Sequence, residues 1–282
     1  MTIAVTGASG QLGRLVVESL LDRGVKPVAV VRDPAKVADL ADRGVVVRTA
    51  DYGDPAALEA ALAGVDRLLL ISGSAIGERV AQHANVIAAA KAAGVGFVAY
   101  TSILHADDSP LLLAAEHKAT EELLAQSGLP HALLRNGWYW ENFTAGLPGT
   151  VERGVLLGAA GDGRVAGASR ADYAAAAAAV LTAEGQEGAV YELGGDERLT
   201  YADLAAAIGT VADKPIEYRN LPQAEYAVAL EQAGLPAQYA QVLADSDAGT
   251  ALGGLDVEGG ELRKLIGRPT TPFVDVVRAA LA

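Results

Sequence analysis

The stretch Thr6-Gly7-Ala8-Ser9-Gly10-Gln11-Leu12-Gly13 decides the fold of this chain. It follows a short apolar run, Ile3–Thr6, and precedes a segment with helical periodicity, 11–24. Glycines at this junction allow a tight turn, close approach of a phosphate to backbone N–H groups, and tight packing of helix on strand. The helix start also attracts negative charge. We therefore predict that residues 7–13 bind the pyrophosphate of a dinucleotide.

Short apolar runs alternate with helix-period segments over the first 135 residues. The predicted strands are Ile3–Thr6, Val28–Arg32, Val45–Thr49, Arg67–Ile71, Phe97–Thr101 and Ala132–Arg135. The predicted helices are 11–24, 34–42, 55–63, 78–93 and 111–127. The strands are apolar nearly throughout, which is typical of parallel strands covered by helices on both faces. The pattern predicts an α/β fold with a Rossmann-type doubly wound parallel sheet.

The regular alternation ends near residue 136. Gly-rich loops follow, with a predicted helix near 170–182, a strand at Ala189–Leu193 and further helices after Thr200. We predict a Rossmann domain over 1–135, to which later segments can return. The remainder, 136–282, is predicted to form mainly a smaller mixed α/β cap lobe that binds substrate.

The composition limits the classes of partner. The chain has 22 basic and 35 acidic residues and a formal net charge of -13, which disfavours nucleic acid and anionic membranes. It contains no cysteine, so thiolate chemistry and disulfides are excluded and the cytoplasm is favoured. No secretory signal follows Met1, and the longest apolar stretch falls short of the ~20 residues that a membrane helix needs. We expect a cytoplasmic protein without a membrane span; homo-oligomer formation stays open.

A negatively charged chain that holds an anionic nucleotide needs a local positive site. Arg32 stands at the end of the second predicted strand, where NAD-specific sites usually carry an acid. With Lys36 one helical turn on and Arg14 beside the glycine loop, it predicts NADP(H) as the cofactor. Two alternatives stay open: Arg32 is a solvated surface charge, or Asp33 takes the place of the NAD acid. Asp33 is read more simply as the N-cap of the helix that begins at Pro34.

Further segments carry a family resemblance. They are Arg32-Asp33-Pro34-Ala35-Lys36, Ala50-Asp51-Tyr52-Gly53-Asp54, Tyr100-Thr101-Ser102, Leu134-Arg135-Asn136-Gly137-Trp138-Tyr139 and the tail 264–270. With the G-x-x-G-x-x-G loop, they resemble the atypical short-chain dehydrogenases of the NmrA-like group, and among these the quinone reductases. The resemblance implies that Asp51 and Tyr52 border the adenine and that Ser72, Gly73 and Ser74 lie along the cofactor. Asp51 is alternatively a loop cap.

The helix after the fifth strand lacks a residue that most short-chain dehydrogenases use. Those that act on carbonyls carry Tyr-x-x-x-Lys there, and the tyrosine transfers a proton. If His117 takes the lysine position, the tyrosine position holds Leu113; if Lys118 does, it holds Ala114. Ordinary ketone reduction is disfavoured because an alkoxide needs a positioned acid. A quinone becomes a much weaker base, so we predict flavin-free hydride transfer from NADPH to a quinone.

Polar and aromatic side chains are expected at the carboxyl ends of the fifth and sixth strands. Our candidates for catalysis are Asn136, Tyr139, His117 and His105. Trp138, Tyr139, Trp140 and Phe143 offer flat apolar walls to a planar acceptor, and their alternative role is packing against the cap lobe. The two histidines are equally well explained as packing or solvated residues.

Further predictions concern metal ions, other acceptors and a role as a sensor. No histidine and carboxylate grouping has metal-ligand spacing, so no metal is predicted. Triphenylmethane and azo dyes are alternative acceptors, because dye reductases of the same group share many of the segments. A non-catalytic NADP redox sensor that binds a protein partner would also lack the Tyr/Lys pair.

Overall fold

The computed structural model describes all 282 residues. The strands are β1 Ile3–Thr6, β2 Val28–Val31, β3 Val46–Thr49, β4 Arg67–Leu70, β5 Phe97–Ile103, β6 His131–Asn136, β7 Val155–Gly158, β8 Arg164–Val165, β9 Val190–Leu193, β10 Leu199–Thr200 and β11 Glu217–Asn220. The helices are α1 Gln11–Asp22, α2 Ala38–Asp42, α3 Pro55–Leu62, α4 Arg79–Ala92, α5 Leu112–Ser127, α6 Glu141–Thr144, α7 Leu147–Arg153, α8 Arg170–Thr182, α9 Tyr201–Ala212, α10 Gln223–Gln232, α11 Ala237–Ala251, α12 Glu261–Ile266 and α13 Phe273–Leu281.

The main sheet has seven strands in the order β3-β2-β1-β4-β5-β6-β9. The five neighbouring pairs from β3 to β6 are parallel. From β1 the chain builds the sheet outward through β2 to β3, and it then returns to β4 beside β1 and builds in the other direction. This confirms the predicted doubly wound α/β fold and places its topological switch point between β1 and β4.

The central strands are buried on both faces, as their apolar sequences predict. Ile3, Ala4 and Val5 have no exposed surface, and Leu68 to Leu70 of β4 are equally buried. β3 departs from this pattern because it forms the edge of the sheet, and Val46 is 51% exposed. The prediction that every strand is covered on both faces is therefore wrong for β3.

Several element ends confirm the capping signals in the sequence. The side chains of Asp33 and Asp54 accept hydrogen bonds from backbone N–H groups at helix starts, each followed by proline. Thr200 and Asp203 form a reciprocal capping box at the start of α9. The predicted helix 34–42 is wrong in detail, because residues Pro34–Val37 form a 3-10 turn before α2. None of the thirteen α-helices is long and apolar enough to cross a membrane.

The chain forms two compact units. Unit 1 consists of Met1–Ile103, Glu116–Asn136 and Arg170–Tyr191, so that α8 returns to the Rossmann sheet and packs against α1. Unit 2 consists of Leu104–Ala115, Gly137–Ser169 and Glu192–Ala282. Its core contains an aromatic group in which the Trp140 and Phe273 rings lie 5.2 Å apart.

Candidate active site

The glycine loop between β1 and α1 has the backbone that the sequence predicts. Gly7 adopts φ +59°, a conformation that other residues rarely take. The Gly10 N–H donates to the Gly7 carbonyl at 2.9 Å and closes the turn. A Cβ on Gly13 would lie 2.3 Å from the Gly7 carbonyl oxygen, so only glycine fits there. The loop is therefore tightly folded with little side-chain bulk around its backbone.

The start of α1 fits the pyrophosphate of a dinucleotide. Gly10 stands at the N-cap, no side chain caps the helix, and the first turn contains no acidic residue. Most helices satisfy their first N–H groups with a Ser, Thr, Asp or Asn cap. A helix start that lacks such a cap leaves its N–H groups and its partial positive charge for an anion.

Arg32, the predicted selector of the 2′-phosphate, follows β2 at the carboxyl edge of the sheet. Its side chain is 82% exposed and its Nε lies 3.9 Å from Oδ2 of Asp51, which is itself half exposed. Asp33 accepts from the Ala35 N–H at 3.0 Å, so the N-cap interpretation of Asp33 is confirmed. Lys36 is exposed in the same turn. Arg32 and Lys36 thus remain accessible to an anion at this edge.

Arg14 does not contribute free charge to this positive site, in contrast to the prediction. Its guanidinium donates to both carboxylate oxygens of Asp39, at 2.7 and 2.9 Å. It also donates to the Lys36 carbonyl at 2.9 Å. The hydrogen bond with Asp39 raises the pKa of Arg14 and lowers that of Asp39. Arg14 therefore ties α1 to the segment after β2.

Tyr52, predicted to border the adenine, has its hydroxyl between the end of β1 and the residue that follows β4. The hydroxyl lies 2.5 Å from Oγ1 of Thr6 and 2.8 Å from the Ile71 carbonyl. Burial raises the pKa of Tyr52 well above its usual value. Asp51 accepts from the Gly53 N–H at 2.7 Å, as a loop cap does. Thr6 and Tyr52 together join the ends of β1 and β4 at the switch point.

The loop after β4, which carries Ser72, Gly73 and Ser74, is held by side chains of unit 1. The Ser72 N–H donates to Thr101 Oγ1 at 2.9 Å, and the Gly73 N–H donates to His83 Nε2 at 2.9 Å. Arg79 Nε donates to the Gly73 carbonyl at 2.7 Å. His83 is therefore bonded to the backbone of this loop.

His117 is the buried member of the pair that we aligned with the family lysine. It is 7% exposed, whereas Lys118 is exposed. His117 Nδ1 lies 2.8 Å from the Tyr100 hydroxyl. Burial lowers the pKa of His117 well below its usual value, and the nearby Arg79 cation lowers it further. Burial also raises the pKa of Tyr100. His117 is consequently a neutral imidazole and cannot act as a cationic acid at neutral pH.

The carboxyl ends of β5 and β6 carry a buried ion pair and a buried amide. Arg135 donates to both oxygens of Glu121, at 3.0 and 2.6 Å, and Ser102 donates to the same carboxylate at 2.5 Å. Asn136 follows Arg135, is 5% exposed, and its Oδ1 atom has no hydrogen-bond donor. A buried acceptor without a donor is costly, so Asn136 fits a position that contacts a ligand.

The two remaining catalytic candidates lie in unit 2. His105 adopts φ +55°; its N–H donates to Glu192 and its Nε2 lies 2.9 Å from the Asp256 carbonyl. These contacts fix a turn within unit 2. Tyr139 forms a β-bridge with Ala168.

Trp140 and Phe143 take the packing alternative in unit 2. Trp140 has no exposed surface, and its ring lies 6.3 Å from that of Phe143. A Cβ on Gly167 would lie 2.5 Å from the Trp140 ring. The expectation that these two rings form walls for an acceptor is therefore wrong for Trp140. Trp138 and Tyr139 are half-buried.

Sequence reasoning missed the residues that shape the loop after β4. Arg79 and Glu116 form an ion pair at 2.9 Å across 37 residues of chain. The only signal in the sequence was the spacing of Arg79 and His83, which places both on one face of a helix. No group of three or more His, Asp or Glu side chains could hold a metal ion.

Comparison with known proteins adds a family to this geometry. A family model described as NAD(P)H-binding matches residues 7–184, which is more than half of the chain. The chain belongs to this NAD(P)H-binding family. The matched residues include Gly7–Gly13, Arg32 and the loop after β4. The family match therefore agrees with our inference that the uncapped start of α1 binds a dinucleotide.

Proteins of similar sequence and structure include reductases. The chain is 56% identical to quinone oxidoreductase 2 of Escherichia coli K12 over 98% of its own length and 97% of the relative. A crystal structure of the E. coli NADPH-dependent quinone oxidoreductase in complex with NADPH is 55% identical in sequence. The alignment covers 99% of this chain and 100% of that chain, and the TM-score is 0.96. The triphenylmethane reductase of Citrobacter sp. with NADP(H) is 38% identical over 99% of both chains, with a TM-score of 0.94. The predicted resemblance is confirmed.

Proposed function

We propose that this chain is an NADPH-dependent quinone reductase. The observation that carries the proposal is its 56% identity, over nearly the full length, to an enzyme named as a quinone oxidoreductase. The glycine loop, the uncapped start of α1 and the exposed Arg32 support it independently. We also propose the cytoplasm as its location, from the lack of cysteine.

Arg32 and Lys36 would select the 2′-phosphate of NADPH. Both side chains are exposed at the carboxyl edge of the sheet, and a guanidinium matches phosphate with two parallel hydrogen bonds. Oδ2 of Asp51 lies 3.9 Å from Arg32 Nε, and this long, exposed contact leaves the guanidinium accessible to a phosphate. The backbone of Gly7–Gly13 would receive the pyrophosphate.

The chemistry supplied by bound NADPH is transfer of a hydride from its nicotinamide ring to the acceptor. The α5 segment that carries the proton donor in related dehydrogenases has Leu113 and Ala114 at the two candidate positions, and His117 there is neutral. This arrangement suits a quinone, because the aromatic hydroquinone anion is a weak base that solvent protonates. The protein then contributes position and hydrogen bonds.

Four side chains remain candidates for contact with the acceptor. Asn136 is favoured because it is buried at the carboxyl end of β6 and the N–H group of its amide can donate to a quinone carbonyl, which only accepts. His117, Tyr139 and His105 are weaker candidates, since His117 is bonded to Tyr100 and His105 fixes a turn. We propose that Asn136 orients the quinone, and His117, Tyr139 and His105 rank below it as candidates.

The test is oxidation of NADPH in a mixture of purified protein and 1,4-benzoquinone, followed by absorbance of the nicotinamide. We expect many turnovers per protein molecule, with NADPH preferred to NADH. Tight binding of NADPH with no decay above the uncatalysed rate would refute the proposal and support the redox-sensor alternative.

Arg32→Glu tests the cofactor assignment. Removal of a charge-assisted contact that contributes about 1.5–3 kcal/mol should weaken NADPH binding by about 10- to 100-fold. NADH binding should change much less, because NADH lacks the 2′-phosphate. Arg43→Glu, at another exposed arginine of unit 1, serves as the control for net charge. Equal losses for both cofactors would show that Arg32 does not contact the phosphate.

A second candidate acceptor is a triphenylmethane dye. The specific observation in its favour is the 38% identity to the Citrobacter reductase over 99% of both chains. Steady-state rates on benzoquinone and on a cationic dye at saturating NADPH separate the two. A higher kcat/KM for the dye would replace the quinone as the proposed substrate.

A further inference from the structure

The loop between β4 and α4, residues 71–78, stands at the switch point of the sheet. β4 is the neighbour of β1, and the connections after these two strands leave in opposite directions. Ligands of doubly wound sheets bind outside the carboxyl ends of the strands at this point. The loop therefore borders the same crevice as the glycine loop after β1.

Two charged side chains that lie outside the loop form hydrogen bonds with its backbone and with each other. Arg79, at the start of α4, donates through Nε to the Gly73 carbonyl at 2.7 Å and through Nη1 to Glu116 Oε2 at 2.9 Å. The other oxygen of Glu116, Oε1, accepts from the Gly77 N–H at 3.0 Å. Glu116 on α5 thus holds one end of the loop directly and the other end through Arg79.

His83 supplies the third contact. Its Nε2 accepts from the Gly73 N–H at 2.9 Å, and its Nδ1 lies 2.9 Å from Thr120 Oγ1. Thr120 in turn donates to the Glu116 carbonyl at 2.9 Å. Both backbone polar groups of Gly73 are therefore bonded to side chains of α4.

These contacts fix a loop that has no regular secondary structure. Side chains of α4 and α5 bond the backbone at Gly73 and at Gly77, and the Arg79 side chain is only 7% exposed. A buried guanidinium is retained in proteins where it is paired and hydrogen-bonded, and Arg79 is bonded to Glu116 and to the Gly73 carbonyl. Order in a binding loop before the ligand arrives lowers the entropy cost of binding.

We propose that Arg79 and Glu116 are positioning residues that hold the loop 71–78 in its cofactor-binding form before NADPH binds. The inference rests on the proposed function, because it takes NADPH as the ligand. Neither side chain needs to touch the cofactor; both act through the backbone of Gly73 and Gly77.

The test compares Glu116→Gln with Glu122→Gln, an exposed glutamate on the same helix. Glu116→Gln should raise the Kd of NADPH about tenfold. It should leave kcat at saturating NADPH and the KM of benzoquinone within about twofold of the wild type. The control variant should show no change in the Kd of NADPH. Amide hydrogen exchange at Gly73 and Gly77 should be faster in the variant without NADPH. Saturating NADPH should restore the protection of both amides.

Arg79→Lys is the second variant, and it keeps the charge. A lysine ammonium reaches the Gly73 carbonyl or Glu116 but cannot span both as the guanidinium does. We expect the same rise in Kd with faster exchange at Gly73. If both variants bind NADPH like the wild type, or if they lose stability with no change in Kd, the inference is wrong. Failure of the wild-type protein to bind or oxidise NADPH would instead refute the proposed function.

Discussion

The neutral state of buried His83 predicts a measurable loss of stability at mildly acidic pH. His83 has no exposed surface. Its Nε2 faces the Gly73 N–H, so this nitrogen must be the unprotonated acceptor and the ring proton lies on Nδ1. Burial, and next the nearby Arg79 cation, lower the pKa of His83 from 6.5 to about 3. A second proton would place two N–H groups against each other.

The size of this loss in the free energy of unfolding follows from the difference in proton binding between the native and unfolded states. Between pH 6.5 and 3 the unfolded chain binds a proton at His83 that the native protein does not, so stability falls as the pH falls. The loss relative to pH 8 is about 0.8 kcal/mol at pH 6 and about 2 kcal/mol at pH 5, and it approaches about 5 kcal/mol below pH 3.

The assay is urea unfolding of the wild type and His83→Gln at pH 5, 6, 7 and 8. Glutamine keeps an acceptor on a side chain of similar reach and does not titrate. The difference between the proteins at pH 8 measures lost packing, and its change toward pH 5 isolates His83 from the carboxylates and His117, which titrate in both proteins. We expect the variant to lose about 2 kcal/mol less than the wild type between pH 8 and pH 5. A difference that stays constant with pH would refute the tautomer and burial argument.

Three further variants test other parts of the structure. Gly13→Ala should weaken NADPH binding and destabilise the fold by about 1–3 kcal/mol, because its Cβ would meet the Gly7 carbonyl at 2.3 Å; Gly146→Ala, where no atom lies within 4 Å, is the control for thermal unfolding. Glu121→Gln should cost about 3 kcal/mol in urea unfolding because it removes the negative charge to which the buried Arg135 guanidinium donates two hydrogen bonds. Burial raises the pKa of Asp247 from 3.8 to about 6, so the native protein holds a proton that the unfolded chain releases, and stability falls by about 2 kcal/mol as the pH rises from 4 to 7. That fall should disappear in Asp247→Asn.

The fold and the glycine loop could be predicted because their signals are local. The turn at Gly7–Gly13 depends on the positive φ of Gly7 and on the missing Cβ at Gly13, and residue identity alone indicates both. The caps at Asp33 and Asp54 depend on partners two or three residues away. Each of these features needs no knowledge of the remaining chain.

The surroundings of the candidate site depend on partners that the sequence does not identify. Arg14 was expected to add positive charge near the phosphates, but Asp39, 25 residues away, accepts hydrogen bonds from both of its terminal nitrogens. Glu116 lies 37 residues from Arg79, and only the packing of α5 beside α4 brings the two together. The segment Leu104–Ala115 joins unit 2 although it connects β5 to α5. Spacing rules for single helices and strands cannot detect such pairings.

The polar groups of α5 indicate why a quinone suits this protein better than a ketone. Both carboxylate oxygens of Glu116 accept hydrogen bonds, from the Gly77 N–H and from Arg79. Both oxygens of Glu121 accept from Arg135. His117 is buried, neutral and bonded to Tyr100, so restoring an acid would require more than a tyrosine at Leu113. It would also require a nearby cation to lower the pKa of that tyrosine, and the Lys118 side chain is exposed on another face of the helix. Since α5 is built to hold loops and strands, an acceptor whose reduced form needs no strong acid is the one that this helix can serve.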